Sequence, residues 1–275
     1  MPEGDTIYRA ATRLRPILEG QPVERARARW QGIDGATLVG HTITKVEARG
    51  KHLLFHFDDG RALHSHMGMT GSWHIYRLGE AWQKPEHRAA IVLEGPHYLV
   101  VCFTPKLLEL LTAAGVRRHP YLQRLGPDLL GGEVDESAVL ARFRTHNATP
   151  IGEAVMNQTI ASGVGNVYKS EVLFLLHLHP LTPVGELSDE QILELVRKSR
   201  ELMQQNLEGR PRTTRHSLDR RRFWTYGRSG QPCFVCGSPI EVTRQGDLGR
   251  TTYWCPKCQP RRAEGREIGL SGGPA

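Results

Sequence analysis

Two sets of residues in this sequence could do chemistry, and the first lies at the N-terminus, where the chain reads Met1-Pro2-Glu3-Gly4-Asp5-Thr6. Because an initiator methionine before proline is normally removed, we expect a secondary α-amine at Pro2. The pKa of an α-amine is about 7.7–8.0, so much of this amine is an uncharged nucleophile near neutral pH. Its attack on a sugar aldehyde carbon would give a cationic iminium, an electron sink that needs no cofactor. Glu3 is the nearest possible proton donor. Met-Pro starts are common, however, so this one indicates chemistry only if the rest of the chain supports it.

The second set consists of four cysteines, Cys233, Cys236, Cys255 and Cys258, in the spacing C-x2-C-x18-C-x2-C. This spacing is typical of a tetrahedral zinc site that closes a small ribbon lacking a core of its own. Four protein thiolates leave no coordination position open, so we predict a structural zinc ion. Arg250 lies between the two cysteine pairs, at the predicted tip of a β-hairpin, from which an arginine can reach a phosphate.

Two segments of the N-terminal half also contain candidate binding residues. Residues 49–52 form a basic cluster that leads into an apolar strand, although an exposed strand end is the simpler interpretation. Residues 64–72 form a loop rich in glycine and histidine, and two methionines on glycine hinges could insert an apolar wedge between stacked bases. The alternative is that Met67 belongs to the core and only Met69 projects. Three nearby histidines suggest a metal, but their spacing matches no fixed ligand pattern.

A third segment, Gly163-Val164-Gly165-Asn166, separates two predicted helices. Backbone N–H groups at the start of the second helix, together with the Asn166 side chain, could bind an anion such as a phosphate. An ordinary turn between helices has the same pattern.

The composition favours a polyanionic partner. The chain has 36 Lys and Arg against 29 Asp and Glu, a net charge of +7, and a pI of about 9.3, although a merely basic protein has the same balance. No run of 18 apolar residues and no signal-like start is present, which predicts a soluble intracellular protein without a membrane segment. Cys102 is predicted to be a buried small hydrophobe, and the clustering of the other four cysteines argues against a disulfide framework.

The elements that must position these residues differ between the two halves. A first helix runs to Leu18, with Asp5 as its predicted cap and Gly20 as its stop. Six short strands with turn signals follow and predict an antiparallel sandwich or barrel. They are Thr42–Arg49, His52–Phe57, Ala62–Met67, Ser72–Tyr76, Ala89–Leu93 and Tyr98–Phe103.

The second half is predicted to be helical, up to a basic linker. The predicted helices are Asp135–Thr145, one that starts at Thr149-Pro150, Val167–His177, and one that follows a capping box at Ser188–Gln191. The linker, 210–228, carries three aromatic residues among its arginines, and a solvated interdomain connection explains it equally well. The residues after the last cysteine are rich in Arg, Gly and Pro and are predicted to be disordered.

Taken together, these motifs resemble those of the formamidopyrimidine-DNA glycosylase and endonuclease VIII family of base-excision repair enzymes, over nearly the full length of the chain. The shared motifs are Met1-Pro2-Glu3-Gly4, Gly50-Lys51-His52-Leu53-Leu54, His66-Met67-Gly68-Met69-Thr70-Gly71-Ser72, Leu125-Gly126-Pro127, Asn157-Gln158, Gly163-Val164-Gly165-Asn166-Val167-Tyr168, Tyr226-Gly227-Arg228 and the four cysteines. The order and mutual independence of these motifs make chance coincidence very improbable, and they strengthen the interpretation of Pro2.

The resemblance implies an α+β multidomain fold with DNA in the cleft between the domains. Residues 1–130 would form a catalytic antiparallel β-sandwich with flanking helices, and residues 131–228 a helix–two-turn–helix domain. Residues 229–260 would form a β-hairpin zinc finger with four cysteine ligands, and residues 261–275 a disordered tail.

The resemblance also implies roles for single residues. Pro2 would be the nucleophile that attacks C1′ of the damaged nucleotide, and Glu3 the acid/base that protonates the sugar ring oxygen. Lys51 would contact the phosphates beside the lesion and be needed for base removal.

Four further residues correspond to DNA contacts of the family. His66 and Asn166 would bind phosphates, Arg250 would be the arginine of the finger, and Met69 would fill the gap left by the extruded base. One structural zinc ion and no organic cofactor are expected.

The activity implied is bifunctional: base release, then β- and δ-elimination at the abasic sugar, which leaves a one-nucleotide gap with phosphate ends. The partner would be double-stranded DNA that contains an oxidised base or an abasic site. The protein is expected to be a monomer in the bacterial cytoplasm, associated with the nucleoid.

Three departures from the family pattern bear on the substrate. Thr6 stands where Glu is usual, and Asn157 where Asp is common. Residues 104–108 lack the Arg-Arg-Phe run with which formamidopyrimidine glycosylases invade the duplex opposite 8-oxoguanine. This lack, together with the Pro-Glu-Gly start, favours the endonuclease VIII branch, and therefore oxidised pyrimidines and abasic sites.

Several alternatives stay open at this point. One is a glycosylase that prefers 8-oxoguanine or formamidopyrimidine. Another is an abasic-site lyase or a non-catalytic damage-binding relative with little base removal. A zinc-ribbon transcription factor would not explain the N-terminal half.

Overall fold

The computed structural model describes residues 2–208 and 211–261. It confirms the α+β architecture: a β-sandwich, a helical domain and a four-cysteine finger follow one another along the chain. The predicted disordered tail lies outside the described residues except for Arg261, and so does Arg210 at the start of the basic linker. In the described part of the chain, none of the helices combines the length and the apolar character needed to cross a membrane.

The N-terminal domain consists of one helix packed on two antiparallel sheets. The helix is α1 (Gly4–Leu18), and the strands are β1 (Gln21–Pro22), β2 (Arg25–Ala28), β3 (Thr42–Arg49), β4 (His52–Phe57), β5 (Ala62–His66), β6 (Ser72–Arg77), β7 (Ala89–Glu94), β8 (Tyr98–Phe103) and β9 (Leu107–Leu111). Within the described residues, one sheet has the order β1-β3-β4-β5-β9 and the other the order β2-β7-β8-β6.

The sandwich core lies between the two sheets and under α1. Ile7, Ala11, Leu14 and Leu18 recur every three or four positions, so they share one face of α1. This face packs into one apolar cluster with residues of both sheets, such as Leu53 of β4. Burial of these side chains holds α1, and with it the residues that precede it, against the sandwich.

Six of these strands were predicted within about one residue of their ends, whereas β1, β2 and β9 were missed. The predicted helix cap was wrong. Glu3 occupies the N-cap position and makes no side-chain bond to its own helix. Asp5 is the second residue of the helix, and its carboxylate binds Arg212 instead of capping the helix.

Two short helices follow the last strand of the sandwich, α2 (Ala113–Arg118) and α3 (Pro120–Arg124), and the helical domain contains α4 (Glu136–Arg144), α5 (Ile151–Ala154), α6 (Asn166–Leu175) and α7 (Asp189–Gln205). A second apolar core, with Phe143, Tyr168 and Leu195 among its members, joins α4, α6 and α7. The predicted capping box at the start of α7 is confirmed. Pro150 is an N-cap rather than the first helical residue, and α5 ends after one turn.

The finger is a small ribbon built on the hairpin β10 (Glu241–Gln245) and β11 (Arg250–Trp254). Its apolar core contains Cys233, Ile240 and Cys255 and is completed by Phe174 of α6. The linker before the finger is packed rather than solvated near its end, since Trp224 stacks on Phe174 with ring centroids 5.6 Å apart.

Candidate active site and nucleic-acid interface

Glu3 connects the start of the sandwich domain to the helical domain. Its carboxylate is 1% exposed and accepts hydrogen bonds from the backbone N–H groups of Gly165 (3.0 Å), Val167 (2.8 Å) and Tyr168 (3.4 Å). These N–H groups lie at the N-terminus of α6, where a helix offers no acceptors of its own and where its dipole favours a carboxylate. The glycine-rich segment that was expected to bind an anion therefore binds an anion of the chain itself.

Two glycines make this close approach possible. A Cβ at Gly165 would overlap the carboxyl group of Glu3, and a Cβ at Gly4 would lie 2.9 Å from the Cα atom of Gly163. The Gly4 N–H also donates to the Gly163 carbonyl at 2.9 Å. The backbone of the first residues thus lies directly against the helical domain, with Pro2 half-buried at the junction.

A buried ion pair that the sequence did not indicate lies beside Glu3. The Arg212 guanidinium donates from Nε to Asp5 Oδ2 at 2.8 Å and from Nη2 to Asp5 Oδ1, across 207 positions of sequence. Its Nη1 lies 3.8 Å from Glu3 Oε1, and its Nη2 donates to Thr6 Oγ1 at 2.8 Å. A second carboxylate is therefore present, one residue before the position where Thr6 replaces the usual Glu.

Lys51 is placed by a tight turn between β3 and β4. Gly50 has a φ of +58°, which glycine adopts without strain, and its N–H donates to Asp128 Oδ2 at 2.6 Å. A Cβ at Gly50 would lie 2.9 Å from the Cβ of Ser162. The turn is thereby pressed against the helical domain, and Lys51 stands at the boundary between the two domains.

The pKa of Lys51 shows which charges surround it. Burial lowers this pKa to about 8, the Glu3 carboxylate opposes the shift, and Arg250 and Arg212 add to it. Four segments distant in sequence therefore bring charged groups within electrostatic reach of one another. Two of the predicted catalytic residues, Glu3 and Lys51, and the predicted finger arginine are among them.

His66 ends β5 on the same side of the sandwich as Lys51. Its Nδ1 accepts the Gly68 N–H at 3.0 Å, which assigns the proton of the neutral ring to Nε2. Burial lowers the pKa of His66 to about 4, and Lys106 and Lys51 lower it further. At neutral pH His66 is thus an uncharged N–H donor, which suits a contact with a phosphate oxygen.

The two methionines of the loop after β5 have different environments. Met69 is 71% exposed, whereas Met67 is only 4% exposed and packs in the sandwich core. Of the two interpretations left open by the sequence, the structure supports the one in which Met69 alone projects.

A cluster of histidines beneath this surface is bound together by hydrogen bonds. Atoms of His64, Glu109 and His119 lie within 4.8 Å of one another, as metal ligands would. His119 Nδ1, however, accepts the Leu122 N–H at 3.3 Å, so its Nε2 carries the proton and donates to Glu109 at 2.7 Å. His64 Nδ1 bonds the same oxygen at 2.8 Å. With this tautomer His119 has no lone pair free for a metal, and the donor set does not fit one.

Asn166 and Arg250 meet where α6 contacts the finger. Asn166 is buried, and its Nδ2 donates to Thr251 Oγ1 at 3.2 Å. Arg250 begins β11, next to the turn of the hairpin, as predicted. The other departure from the family, Asn157, accepts from Thr159 N at 3.0 Å and Thr159 Oγ1 at 2.8 Å, which an aspartate could also do.

The four cysteines of the finger fit a zinc ion. Their sulfur atoms all lie within 4.8 Å of one another, with Cys233 and Cys258 at 3.8 Å and Cys236 and Cys255 at 3.4 Å. Zn–S bonds of about 2.3 Å in a tetrahedron require sulfur atoms about 3.8 Å apart. Cys233, Cys236, Cys255 and Cys258 would hold the ion, whose role is to close the ribbon.

Models of known families match three consecutive parts of the chain. Residues 1–104 match the formamidopyrimidine-DNA glycosylase N-terminal domain, residues 125–217 match the formamidopyrimidine-DNA glycosylase H2TH domain, and residues 230–261 match the zinc finger found in FPG and IleRS.

Curated relatives are similar over nearly the whole chain. A probable endonuclease 8 2 of Streptomyces coelicolor is 37% identical, and the match covers 94% of each chain. The DNA-(apurinic or apyrimidinic site) lyase Nei2 of Mycolicibacterium smegmatis is 35% identical, over 94% of this chain and 99% of that protein. A formamidopyrimidine-DNA glycosylase of Methylococcus capsulatus is also 35% identical, over 86% and 90%.

Solved structures share the fold. The MutM (FPG) protein of Thermus thermophilus superposes with a TM-score of 0.78 at 30% identity, over 95% of this chain and 100% of that one. A Lactococcus lactis formamidopyrimidine-DNA glycosylase bound to DNA that contains an abasic site superposes with a TM-score of 0.79 at 24% identity, over 94% and 100%.

Proposed function

Because the chain belongs to the formamidopyrimidine-DNA glycosylase and endonuclease 8 family, and is therefore a DNA glycosylase and abasic-site lyase of base-excision repair, we propose that it acts through Pro2 and prefers oxidised pyrimidines and abasic sites. The observation that carries this proposal is the position of Glu3. Glu3 directly follows the proposed nucleophile in the chain, and its buried carboxylate is fixed by three backbone N–H groups at the start of α6.

The proposed reaction begins at Pro2 after removal of Met1. The Pro2 nitrogen bonds to C1′ of the damaged nucleotide, Glu3 takes up the proton that the amine loses, and the base departs with the electrons of its glycosidic bond. Transfer of the proton from Glu3 to the ring oxygen then opens the sugar as the nitrogen lone pair forms the C1′ iminium. The N–H groups around Glu3 hold its carboxylate in place, and its negative charge would stabilise the positive charge that develops.

The strand is then cut by two eliminations that use the same iminium as electron sink. The iminium acidifies the C2′–H bond; loss of this proton expels the 3′ phosphate, and a second elimination expels the 5′ phosphate. Water finally releases the sugar remnant from Pro2. The expected product is a one-nucleotide gap with phosphate ends.

We propose that the surrounding cations and donors hold the DNA backbone. Lys51, His66, Asn166 and Arg250 would bind phosphates, because they are cationic or carry side-chain N–H donors and lie around the Glu3 site. Met69 would occupy the space left by the extruded base, since it is the exposed apolar residue of a glycine-hinged loop. The sandwich, residues 1–130, would supply the chemistry, and both the sandwich and residues 131–260 would contact the DNA backbone.

The preference for pyrimidines rests on two observations. Several relatives are named endonuclease 8, and the segment between β8 and β9 lacks an arginine–phenylalanine wedge. The alternative is a preference for oxidised purines, because the Methylococcus relative is named formamidopyrimidine-DNA glycosylase. The bacterial relatives support the further proposal of a cytoplasmic location.

The decisive experiment is trapping with borohydride, which reduces an iminium to a stable bond. Mature protein is mixed with duplexes that contain one abasic site, thymine glycol, dihydrouracil or 8-oxoguanine. The control is a variant with two residues added before Pro2, which turns the amine into an amide and leaves the DNA-binding residues in place. We expect an adduct with the mature protein and none with the extended variant, and more adduct from the oxidised pyrimidines than from 8-oxoguanine.

The outcomes separate the alternatives. An equal or larger yield with 8-oxoguanine would overturn the pyrimidine preference and leave the chemistry intact. No adduct with abasic DNA, from protein shown by mass spectrometry to start at Pro2, would overturn the proposed mechanism in favour of a damage-binding role.

A further inference from the structure

Lys169 is a buried lysine on α6 that the proposed reaction does not use. Its side chain is 1% exposed, and Nζ donates to Thr252 Oγ1 at 2.7 Å and to the Thr251 carbonyl at 3.2 Å. Both acceptors belong to β11 of the finger, so Lys169 crosses from the helical domain into the hairpin that carries Arg250.

The hydrogen bonds continue through the hairpin and return to the helical domain. Thr252 Oγ1 donates to Gln245 Oε1 at 2.6 Å, and Gln245 Nε2 donates to the Pro180 carbonyl at 3.1 Å. Thr252 and Gln245 are buried. This chain, which we call the Lys169–Gln245 bridge, ties both strands of the hairpin to the helical domain.

A buried charge at Lys169 is energetically unfavourable at the contact between α6 and the finger. Its hydrogen bonds go to a hydroxyl and a carbonyl, while Glu3 and Glu153 act on it only through space. Burial lowers its pKa to about 7, and Arg250 lowers it further. A buried ammonium without a contacting carboxylate is destabilising, and an apolar residue of similar length would pack without this penalty. Its presence therefore indicates a role other than packing.

Two residues of α6 and two of the finger are joined by hydrogen bonds at this place. Asn166 binds Thr251 and, one turn later, Lys169 binds Thr251 and Thr252. Both contacts act on the residues that immediately follow Arg250. The position of β11 along α6, and with it the distance between Asn166 and Arg250, is thus set by these bonds.

We propose that Lys169 is a positioning residue for DNA binding: through the Lys169–Gln245 bridge it holds Arg250 and Asn166 in the register that binds the DNA backbone. This inference rests on the proposed function, since it assigns Lys169 to the phosphate contacts of the same site. It gives the finger a specific point of attachment that the zinc site alone does not provide.

The test is a double-mutant cycle between Lys169 and Arg250. The variants are Lys169→Met, Arg250→Ala and the double variant, and the measurement is the Kd for a duplex with an uncleavable abasic-site analogue at several salt concentrations. If Lys169 acts through Arg250, Lys169→Met weakens binding on the order of tenfold in the wild-type background but less than about twofold beside Arg250→Ala. The slope of the logarithm of affinity against the logarithm of salt concentration should fall by about one in either single variant.

Controls distinguish positioning from a general loss of structure. Lys198→Met, on the exposed part of α7, should leave the Kd unchanged. Thr252→Val removes the central hydroxyl of the bridge at constant shape and should reproduce the Lys169→Met effect if Lys169→Met itself does not fold. Zinc content and thermal midpoint are measured for each variant, and a variant that loses zinc or unfolds early is replaced by Thr252→Val in the cycle.

Three results would decide against the inference. Independent, multiplicative effects of Lys169→Met and Arg250→Ala would show that Lys169 does not act through Arg250. Wild-type affinity in both Lys169→Met and Thr252→Val would show that the bridge does not affect DNA binding. Failure of the wild-type protein to bind or cut abasic DNA would instead overturn the proposed function itself.

Discussion

At the scale of single residues, the site is a small number of carboxylates among several cations. Glu3 and Asp5 are both buried, Arg212 lies beside both of them, and the charges of Glu3, Arg212 and Arg250 all act on Lys51. A site with an excess of buried positive charge is poorly satisfied in the free protein, and the phosphates of a DNA strand would supply the missing negative charge. We therefore expect DNA binding to change the pKa values of the cations more than those of the carboxylates.

Lys51 gives this expectation a measurable form. Its pKa is about 8 in the free protein, and a bound phosphate would raise it, so the complex keeps a proton that the free protein loses. Binding is then at full strength below about pH 8 and weakens as the pH rises through that value. We predict that the Kd for abasic-analogue DNA rises about tenfold between about pH 7.5 and 9.5, as measured by fluorescence anisotropy.

Lys51→Arg is the matched variant, because arginine stays charged over this range. It should flatten the profile above about pH 8, apart from any contribution of Lys169, whereas Lys198→Arg on α7 should leave the profile as in the wild type. An affinity that does not change up to about pH 9.5, or an equal slope in Lys51→Arg, would contradict the assignment of Lys51 to a phosphate.

Sequence reasoning at this scale succeeded where residue type and spacing define the chemistry. The four cysteines, whose spacing predicts a zinc site, were recognised from the chain alone, whereas the roles of Pro2 and Glu3 stay predictions. Arg212 was not recognised, because it is one of many arginines in a basic linker and its partner, Asp5, is 207 positions away. Lys169 was not either, since a lysine on a helix is ordinarily exposed and its burial depends on where the finger docks.

At the scale of elements, α6 organises the region around the site. Its N-terminus binds Glu3, its middle binds the finger through Lys169, and the next turn binds the linker through Glu171. Glu171 is fully buried and accepts from the backbone N–H groups of Trp224 (2.7 Å), Thr225 (2.9 Å) and Tyr226 (2.8 Å), and from the Thr214 hydroxyl. One helix thus fixes three other segments by charged groups.

Glu171→Gln tests this role of α6. The amide places an N–H group where the linker offers N–H donors, so at least one buried donor loses its acceptor. We predict a loss of about 2–4 kcal/mol in the free energy of unfolding, measured by urea denaturation followed by tryptophan fluorescence. The same change at Glu194, on the exposed face of α7, should alter stability by less than about 0.5 kcal/mol. Similar values for the two variants would mean that the linker does not depend on Glu171.

The strands show why some elements could be predicted and others could not. Strands β4 and β8 are largely apolar runs, β3 mixes apolar and polar residues, and the ends of all three were predicted as the structure has them. β9 reads Leu-Leu-Glu-Leu-Leu, which does not alternate, and it forms because all five residues pair with β5 more than forty positions earlier. Pairing of this kind is not encoded locally.

At the scale of the whole molecule, the finger is closed by its zinc site and attached to the helical domain by a small apolar core and the Lys169–Gln245 bridge. The apolar core is shared with Phe174 of α6, so the finger cannot lose its fold without uncovering part of the helical domain. The sandwich has its own apolar core, which includes no residue of the finger.

Removal of the zinc ion should therefore disrupt the finger and leave the sandwich folded. We predict that chelation weakens binding of abasic-analogue DNA at least about tenfold, while the far-UV circular dichroism of the sandwich is kept. Added zinc should restore binding. Unchanged affinity after zinc loss is confirmed by elemental analysis would show that the finger does not contribute to DNA binding.

The bonds between Glu3 and the start of α6 also bear on how such a chain can change by descent. The two partners lie 162 and 164 positions apart and belong to separate domains, so an exchange of either domain with a relative by recombination must bring a matching surface. Glycine at 165 and a carboxylate at 3 have to be inherited together, since any side chain at 165 excludes the carboxylate. Domain shuffling is thus constrained at this junction, and we expect lineages to diverge mainly by substitutions at the rim of the cleft.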